Sequence, residues 1–272
     1  MSVSAQDAAF VRELVRRRAA ITIDVAKDYL ISMRLGQAAA DSGLTSISEL
    51  VERARQGDKE ANTRIIEAIT THETSFFRDL QPFETLTKVL LPKFAPAGAA
   101  VRPMNIWCGA CSSGQEPYSI AMLLLEHFPA LAAQAARIVA TDLSAQVLAK
   151  AAAAQFSQLE INRGLPAAYM IKYFERHGLS WQIKPQVRRL VEFRQLNLID
   201  PWVLSPKPDI VFLRNVLIYF DLPTRRAILD RVRAAIAPGG ALFLGAAETT
   251  LNVADGWERI VIDKCTYYRV QT

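Results

Sequence analysis

At 272 residues the chain has room for one large domain or two smaller ones at about 150 residues each. Hydrophobic residues make up 51% and charged residues 22%, a balance that excludes collagen-like, mucin-like and wholly disordered chains. The net charge of +5 is matched by the stretch from Arg163 to Arg194 alone, where Arg163, Lys172, Arg176, Lys184, Arg188, Arg189 and Arg194 face only Glu175 and Glu192. Such a field suits an acidic partner, whose approach it would steer; a merely solvated face is the plainer alternative. Aromatic residues are not interleaved with these cations as in single-strand or RNA binders, so nucleic acid is not expected.

In chain order, MSVSAQDAAF reaches Asp7 before any apolar run and then meets Arg12, Glu13 and Arg16 to Arg18, unlike a secretory signal. The protein is therefore expected in the cytosol. Residues from about 6 to 70 read as short consecutive helices, with Phe10 and Leu14, then Ile47, Leu50, Val51 and Ala54, then Ile65, Ile66 and Ile69 at helical spacing. Ser46-Ile47-Ser48-Glu49 has capping-box spacing, and Gly43 and Gly57-Asp58 punctuate the helices. Pro82 to Phe94 reads as one more helix, followed by a break at Pro96-Ala97-Gly98.

Beyond that break, short apolar runs alternate with helical stretches. Met104–Trp107, Ile138–Thr141, Ile210–Leu213 and Ala241–Leu244 are candidate buried parallel strands, with helices at about 115–127, 144–154 and 223–236. Two last runs, Arg259–Asp263 and Cys265–Val270, have no helix between them and should close the sheet edge as an antiparallel hairpin. The expected fold is α/β: a small helical domain over 1–80, then a doubly wound, mostly parallel sheet over 81–272, interrupted by an insertion at about 155–194. The apolar stretch from Ala234 to Ala247 contains Pro238-Gly239-Gly240 and is shorter than the roughly 18–20 residues of a membrane span.

Ligands of such sheets bind at the carboxyl ends of the strands. The first strand runs into Cys108-Gly109-Ala110-Cys111-Ser112-Ser113-Gly114-Gln115-Glu116, where small residues admit a ligand to the backbone. The second ends at Thr141-Asp142, a carboxylate suited to ribose hydroxyls or, as readily, to capping the next helix. A third element, Arg214-Asn215-Val216-Leu217-Ile218-Tyr219, sets Asn215 and Tyr219 just past a buried strand. These positions point to a nucleoside-bearing ligand. Cys108 and Cys111 mimic a redox C-x-x-C, but the following carboxylates have no place in a thioredoxin; buried reduced thiols are expected. With three Cys and three His, structural-zinc spacings are missing and no metal is expected.

Thr71-His72-Glu73-Thr74-Ser75-Phe76-Phe77-Arg78, Ser113-Gly114-Gln115-Glu116-Pro117-Tyr118-Ser119, Thr141-Asp142, Asn197-Leu198 and Arg214-Asn215-Val216-Leu217-Ile218-Tyr219-Phe220-Asp221, in this order, resemble the bacterial chemotaxis receptor methyltransferases of CheR type. The resemblance covers most of the chain. It implies an S-adenosylmethionine-dependent methyltransferase fold, with S-adenosylhomocysteine as product, acting on glutamate side chains of receptors. It further implies that His72, Thr74 and Arg78 flank the methyl donor, that Glu116 and Asp142 hold its polar groups, and that Asn197, Leu198, Asn215 and Val216 surround its adenine. Arg78 and Tyr219 are the candidates for positioning the reacting groups, while Phe76-Phe77 reads as core packing. The implied partners are the cytoplasmic helical domains of chemoreceptors, met by a monomer that does not insert into the membrane. Family members with a glycine-rich loop in the insertion grasp a C-terminal receptor tether; here the corresponding stretch from Glu175 to Leu190 has one glycine, so tether-independent docking is expected. A donor-binding sensor without catalysis, or a methyltransferase for another substrate, are the alternatives.

Overall fold

The computed structural model describes residues 3–96 and 100–271; Ala97 and Gly98 of the expected break lie outside them. The chain divides into two compact units, residues 1–71 with Tyr219–Thr224, and residues 72–218 with 225–272.

The first unit holds α1 (Ala5–Ala19), a 3-10 turn (Val25–Lys27), α2 (Asp28–Asp41), α3 (Ile47–Arg55) and α4 (Lys59–Ile69). Oxygen-bearing side chains start three of the helices: Ser4 accepts from the Asp7 N–H, Ser46 from the Glu49 N–H, and Asp58 from the N–H groups of Glu60 and Ala61. Only half of the capping box at Ser46 forms, because the Glu49 carboxylate accepts from the N–H and hydroxyl of Thr45, both at 3.1 Å. Val11, Val15, Ile31, Leu35, Leu50 and Ile65 form the center of its core. Phe220 joins Ile21 through an isolated antiparallel bridge, which draws residues 219–224 into this unit.

The second unit begins with residues 72–80 and α5 (Gln81–Thr85), which runs into a π-helical turn (Leu86–Leu90) and a 3-10 turn (Leu91–Lys93). The single helix expected over this stretch thus changes pitch: the Leu91 N–H reaches back to the Leu86 carbonyl, and Pro92 has no N–H to continue a regular ladder. Then follow β1 (Met104–Gly109), α6 (Gln115–His127), α7 (Pro129–Gln134), β2 (Ala136–Asp142) and α8 (Ala145–Ala153). The insertion supplies β3 (Gln155–Ser157), α9 (Gln158–Asn162), α10 (Ala167–Tyr173), β4 (Phe174–His177), β5 (Ser180–Ile183) and α11 (Pro185–Arg188). The chain returns through β6 (Val191–Gln195), β7 (Ile210–Leu213), α12 (Leu222–Ala235), β8 (Ala241–Leu244), β9 (Trp257–Ile262) and β10 (Cys265–Val270).

The large sheet has the order β6-β2-β1-β7-β8-β10-β9. Its first five strands are mutually parallel, while β10 runs antiparallel to both β8 and β9, as the hairpin pattern predicts. Every residue of β7 and β8 is buried, which is why both read as unbroken apolar runs. A second sheet, β3-β5-β4, is antiparallel and belongs to the insertion.

Two boundaries differ from expectation. The insertion ends by residue 190, since Val191–Gln195 pairs in register with Ile138–Asp142 as the edge strand of the main sheet; Glu192 and Arg194 interrupt its apolar pattern, and the strand is only half-buried. The units divide after Thr71 and not after residue 80, because Phe76 and Phe77 lie in the core of the sheet unit. Among the described residues no helix is long and apolar enough to cross a membrane.

Candidate active site

Because β6, β2, β1, β7 and β8 are parallel, the loops that follow them emerge at one edge of the sheet. Chain order reverses there, with β2 on one side of β1 and β7 on the other, the arrangement that opens a ligand crevice. Asp142, Asn197, Leu198, Asn215 and Val216 all lie in or just after the ends of these strands, and Glu116 lies in the first turn of α6. Both oxygens of buried Asp142 organize the loops: Oδ2 accepts from the Ser112 N–H at 2.9 Å and Oδ1 from the Ser144 N–H at 3.1 Å. Asp142 is therefore not the cap of α8. That role falls to Ser144, whose Oγ accepts from the Val147 N–H at 3.1 Å. A carboxylate offers about four lone-pair directions, so Asp142 can tie two loops and still accept from ribose hydroxyls. Asn197 is half-buried and accepts from the Ile199 N–H at 3.3 Å, and the buried Leu198 gives its carbonyl to Trp202 and Arg231.

His72, Thr74 and Arg78 reach this edge on the stretch that precedes α5. Ser112 donates to the His72 carbonyl at 2.8 Å, the Phe77 N–H donates to the Ser119 hydroxyl at 3.0 Å, and Arg214 donates to the Arg78 carbonyl at 3.0 Å. On its other side the stretch meets the insertion. Phe76 sits edge-on between Phe156 and Phe174, with ring centroids 5.0 and 5.6 Å away, and Arg163 pairs with Glu73 at 2.8 Å. All three donor-flanking candidates are half-buried, with the Arg78 guanidinium donating to the Glu73 carbonyl at 3.2 Å. Tyr219 closes the 3-10 turn Leu217–Tyr219 and is grouped with the helical unit.

Below the crevice lies an ionic center that the sequence analysis passed over. The Arg214 side chain is 2% exposed and bridges Glu116 at 2.8 Å and Asp79 at 2.7 Å. Its place immediately after a buried strand, in front of Asn215, was the available signal. Burial pushes the Glu116 carboxyl above its ordinary range; the charge and hydrogen bond of Arg214 and the charge of Arg78 oppose this, and Glu248 reinforces it. Glu116 is thus held from beneath by a fixed cation. Burial also pushes the Cys108 thiol up, helped by Glu116, and the Cys111 thiol, helped by Asp142 and Glu116, so neither thiol is poised as a nucleophile.

The backbone adds a separate mark. Of nine non-glycine residues with left-handed φ among the described residues, Phe77, Asp79, Ala110, Ser112 and Asn215 belong to these loops. Such conformations persist where surroundings over-determine them, and they gather at ligand sites. A buried carboxylate at the end of β2, another in the first turn of α6, a strained loop of small residues after β1 and a flanking guanidinium fit the ribose, the amino-acid portion and the polar ends of S-adenosylmethionine.

Fold and site together define an α/β protein whose parallel sheet opens a ligand crevice at its switch point, alongside a helical unit. Residues 72–265 match the model of the CheR methyltransferase, SAM binding domain. The chain is 38% identical to chemotaxis protein methyltransferase 1 of Pseudomonas aeruginosa over all of both chains. It is also 38% identical to chemotaxis protein methyltransferase Cher2 of Pseudomonas putida, over 96% of each. The probable biofilm formation methyltransferase WspC of Pseudomonas aeruginosa is 34% identical over 75% of this chain and 48% of its own. The chain belongs to the CheR methyltransferase family, and its methyl donor is S-adenosylmethionine.

Proposed function

We propose that the protein transfers a methyl group from S-adenosylmethionine to glutamate side chains of chemoreceptors, leaving glutamate methyl esters. The observation that carries this reading is the half-buried Arg78 guanidinium, held on a stretch anchored at both ends beside the strand-end loops: a fork donor suited to a carboxylate. Full-length likeness to proteins named chemotaxis protein methyltransferases supports the receptor as substrate. In this reading His72, Thr74 and Arg78 flank the donor, Glu116 and Asp142 take its polar groups, and Asn197, Leu198, Asn215 and Val216 enclose its adenine.

When bound, S-adenosylmethionine supplies an electrophilic methyl group on a sulfonium. A glutamate carboxyl, with pKa about 4.3, is already ionized at neutral pH, so no side chain has to remove a proton. Arg78, as a fork donor to the carboxylate or the donor's terminus, and Tyr219, through its hydroxyl, take positioning roles in this reading, which is catalysis by alignment.

Docking belongs to the insertion. The hairpin of β4 and β5 turns through Gly178 and Leu179 alone, leaving no glycine-rich loop to grasp a tether, and Leu179 at its tip is 95% exposed. Three of the seven clustered cations are already paired: Arg163 with Glu73, Lys172 with Glu126 and Arg194 with Glu192. The docking field in this proposal therefore rests on Arg176, Lys184, Arg188 and Arg189, acting as a monomer at receptor arrays on the cytoplasmic face of the membrane. Incubation with labeled donor and purified receptors, followed by mild base, tests the central claim. Labeled methanol released from the receptors is expected; label that stays bound through base treatment, or no label at all, overturns it.

A further inference from the structure

Glu248 lies in the loop after β8, apart from the motifs that mark the site. Its carboxylate accepts four backbone N–H groups. Oε2 takes those of Gly245 at 2.6 Å and Asn215 at 2.8 Å; Oε1 takes those of Leu217 at 2.7 Å and Ile218 at 3.3 Å. The Glu248 N–H in turn donates to the Gly245 carbonyl at 2.9 Å, which closes a tight turn around its own side chain. The parallel ladder between β7 and β8 ends at Leu213 and Leu244. Past that pair the carboxylate bonds the backbone N–H groups of the loops leaving both strands.

The segment it holds is the one that carries Asn215 and Val216. Asn215 adopts a left-handed φ of +59°, unfavorable for a side-chain-bearing residue unless its surroundings fix it. The packing is tight enough that a Cβ on Gly245 would lie 2.6 Å from the Asn215 side-chain nitrogen, 2.8 Å from its backbone nitrogen and 2.7 Å from Glu248 Oε2. We propose that Glu248 is a positioning residue for the methyl donor, fixing the backbone of Asn215 through Ile218 so that Asn215 and Val216 present a preformed face to the adenine. This rests on the reading that Asn215 and Val216 enclose that ring.

The carboxylate suits the task because it is acceptor-only. Glu248→Gln keeps the shape and one acceptor oxygen but turns an amide N–H2 toward two of the backbone donors. The donor then meets a segment it must order for itself, so binding weakens while the aligned reaction, once the site is full, proceeds much as before.

The test titrates S-adenosylhomocysteine into the full-length protein by calorimetry and measures methylation kinetics. For Glu248→Gln the expected result is a rise of about tenfold or more in the dissociation constant, with KM for the donor rising in step and kcat changing by less than about threefold. Gly245→Ala, which wedges the same contact without altering charge, should reproduce this split. Unchanged donor affinity in both variants overturns the proposal, as does a loss confined to kcat or to melting temperature. Asn215→Ala separates this outcome from failure of the underlying reading: if Asn215→Ala leaves donor affinity intact, the adenine placement is wrong, whereas weakened binding in Asn215→Ala alone leaves that placement standing and removes only the role of Glu248.

Discussion

Arg214 and Asp142 illustrate two ways in which one residue serves both fold and site. Arg214 lies under the crevice between Glu116 and Asp79, and removing it would leave buried Glu116 without its ion-pair partner, with only the charge of Arg78 opposing the burial. Arg214→Met should destabilize the protein by about 3–5 kcal/mol, read from urea unfolding; a loss below about 1 kcal/mol would mean that Asp79 and Glu116 relax toward solvent. Asp142→Ala deletes the tie between the loops after β1 and β2 along with a charged acceptor for the donor. A charge-assisted hydrogen bond contributes on the order of 1.5–3 kcal/mol, so donor affinity measured by calorimetry should fall roughly tenfold to a hundredfold. Unaltered affinity would place the ribose elsewhere. The absence of a required base has its own signature: with both substrates saturating, the rate should be nearly flat from about pH 6.5 to 8.5, well above the carboxylate pKa. A steep rise centered near pH 7 that vanishes in His72→Gln would instead make His72 a proton acceptor.

Between the insertion and the stretch 72–80 the decisive contact involves an element with no side chain at all. Gly164, at φ +89°, passes so close to Phe76 that a Cβ would lie 2.2 Å from the Phe76 carbonyl oxygen. That oxygen belongs to backbone and cannot step aside. Gly164→Ala should therefore cost about 2 kcal/mol or more in stability and weaken donor binding, since the displaced stretch carries His72, Thr74 and Arg78; normal melting with normal donor affinity would show that the insertion shifts freely. Nothing in the sequence around Gly164 announces this. Regular elements were readable because their signals are local: β7 and β8 are apolar without interruption, and Ser46 and Asp58 mark helix starts. By contrast β6 was hidden, because its half-buried edge position tolerates Glu192, Arg194 and Gln195. The donor loops were legible as small residues and carboxylates near strand ends, whereas Arg214, Asp79 and Glu248 were not, since their roles arise from pairings 30 to 135 positions apart.

Across the whole molecule, charge is uneven in a way that ion pairing sharpens. With Arg163, Lys172 and Arg194 engaged locally, receptor affinity should fall with added salt, as the Debye length shrinks from about 10 Å at 0.1 M to about 3 Å at 1 M. The double reversal Arg188→Glu/Arg189→Glu should slow association, measured by surface-bound receptor, while donor affinity stays unchanged. Micromolar binding of an isolated receptor C-terminal peptide, or association indifferent to these reversals, would contradict the docking model. Phe220 pairs with Ile21 across almost 200 positions of sequence. The helical unit takes its final piece from residues 219–224, so a ribosome must synthesize more than three-quarters of the polypeptide before that unit can be completed. An N-terminal fragment ending near residue 71 would therefore lack the strand partner of Ile21, however far its own helices had packed.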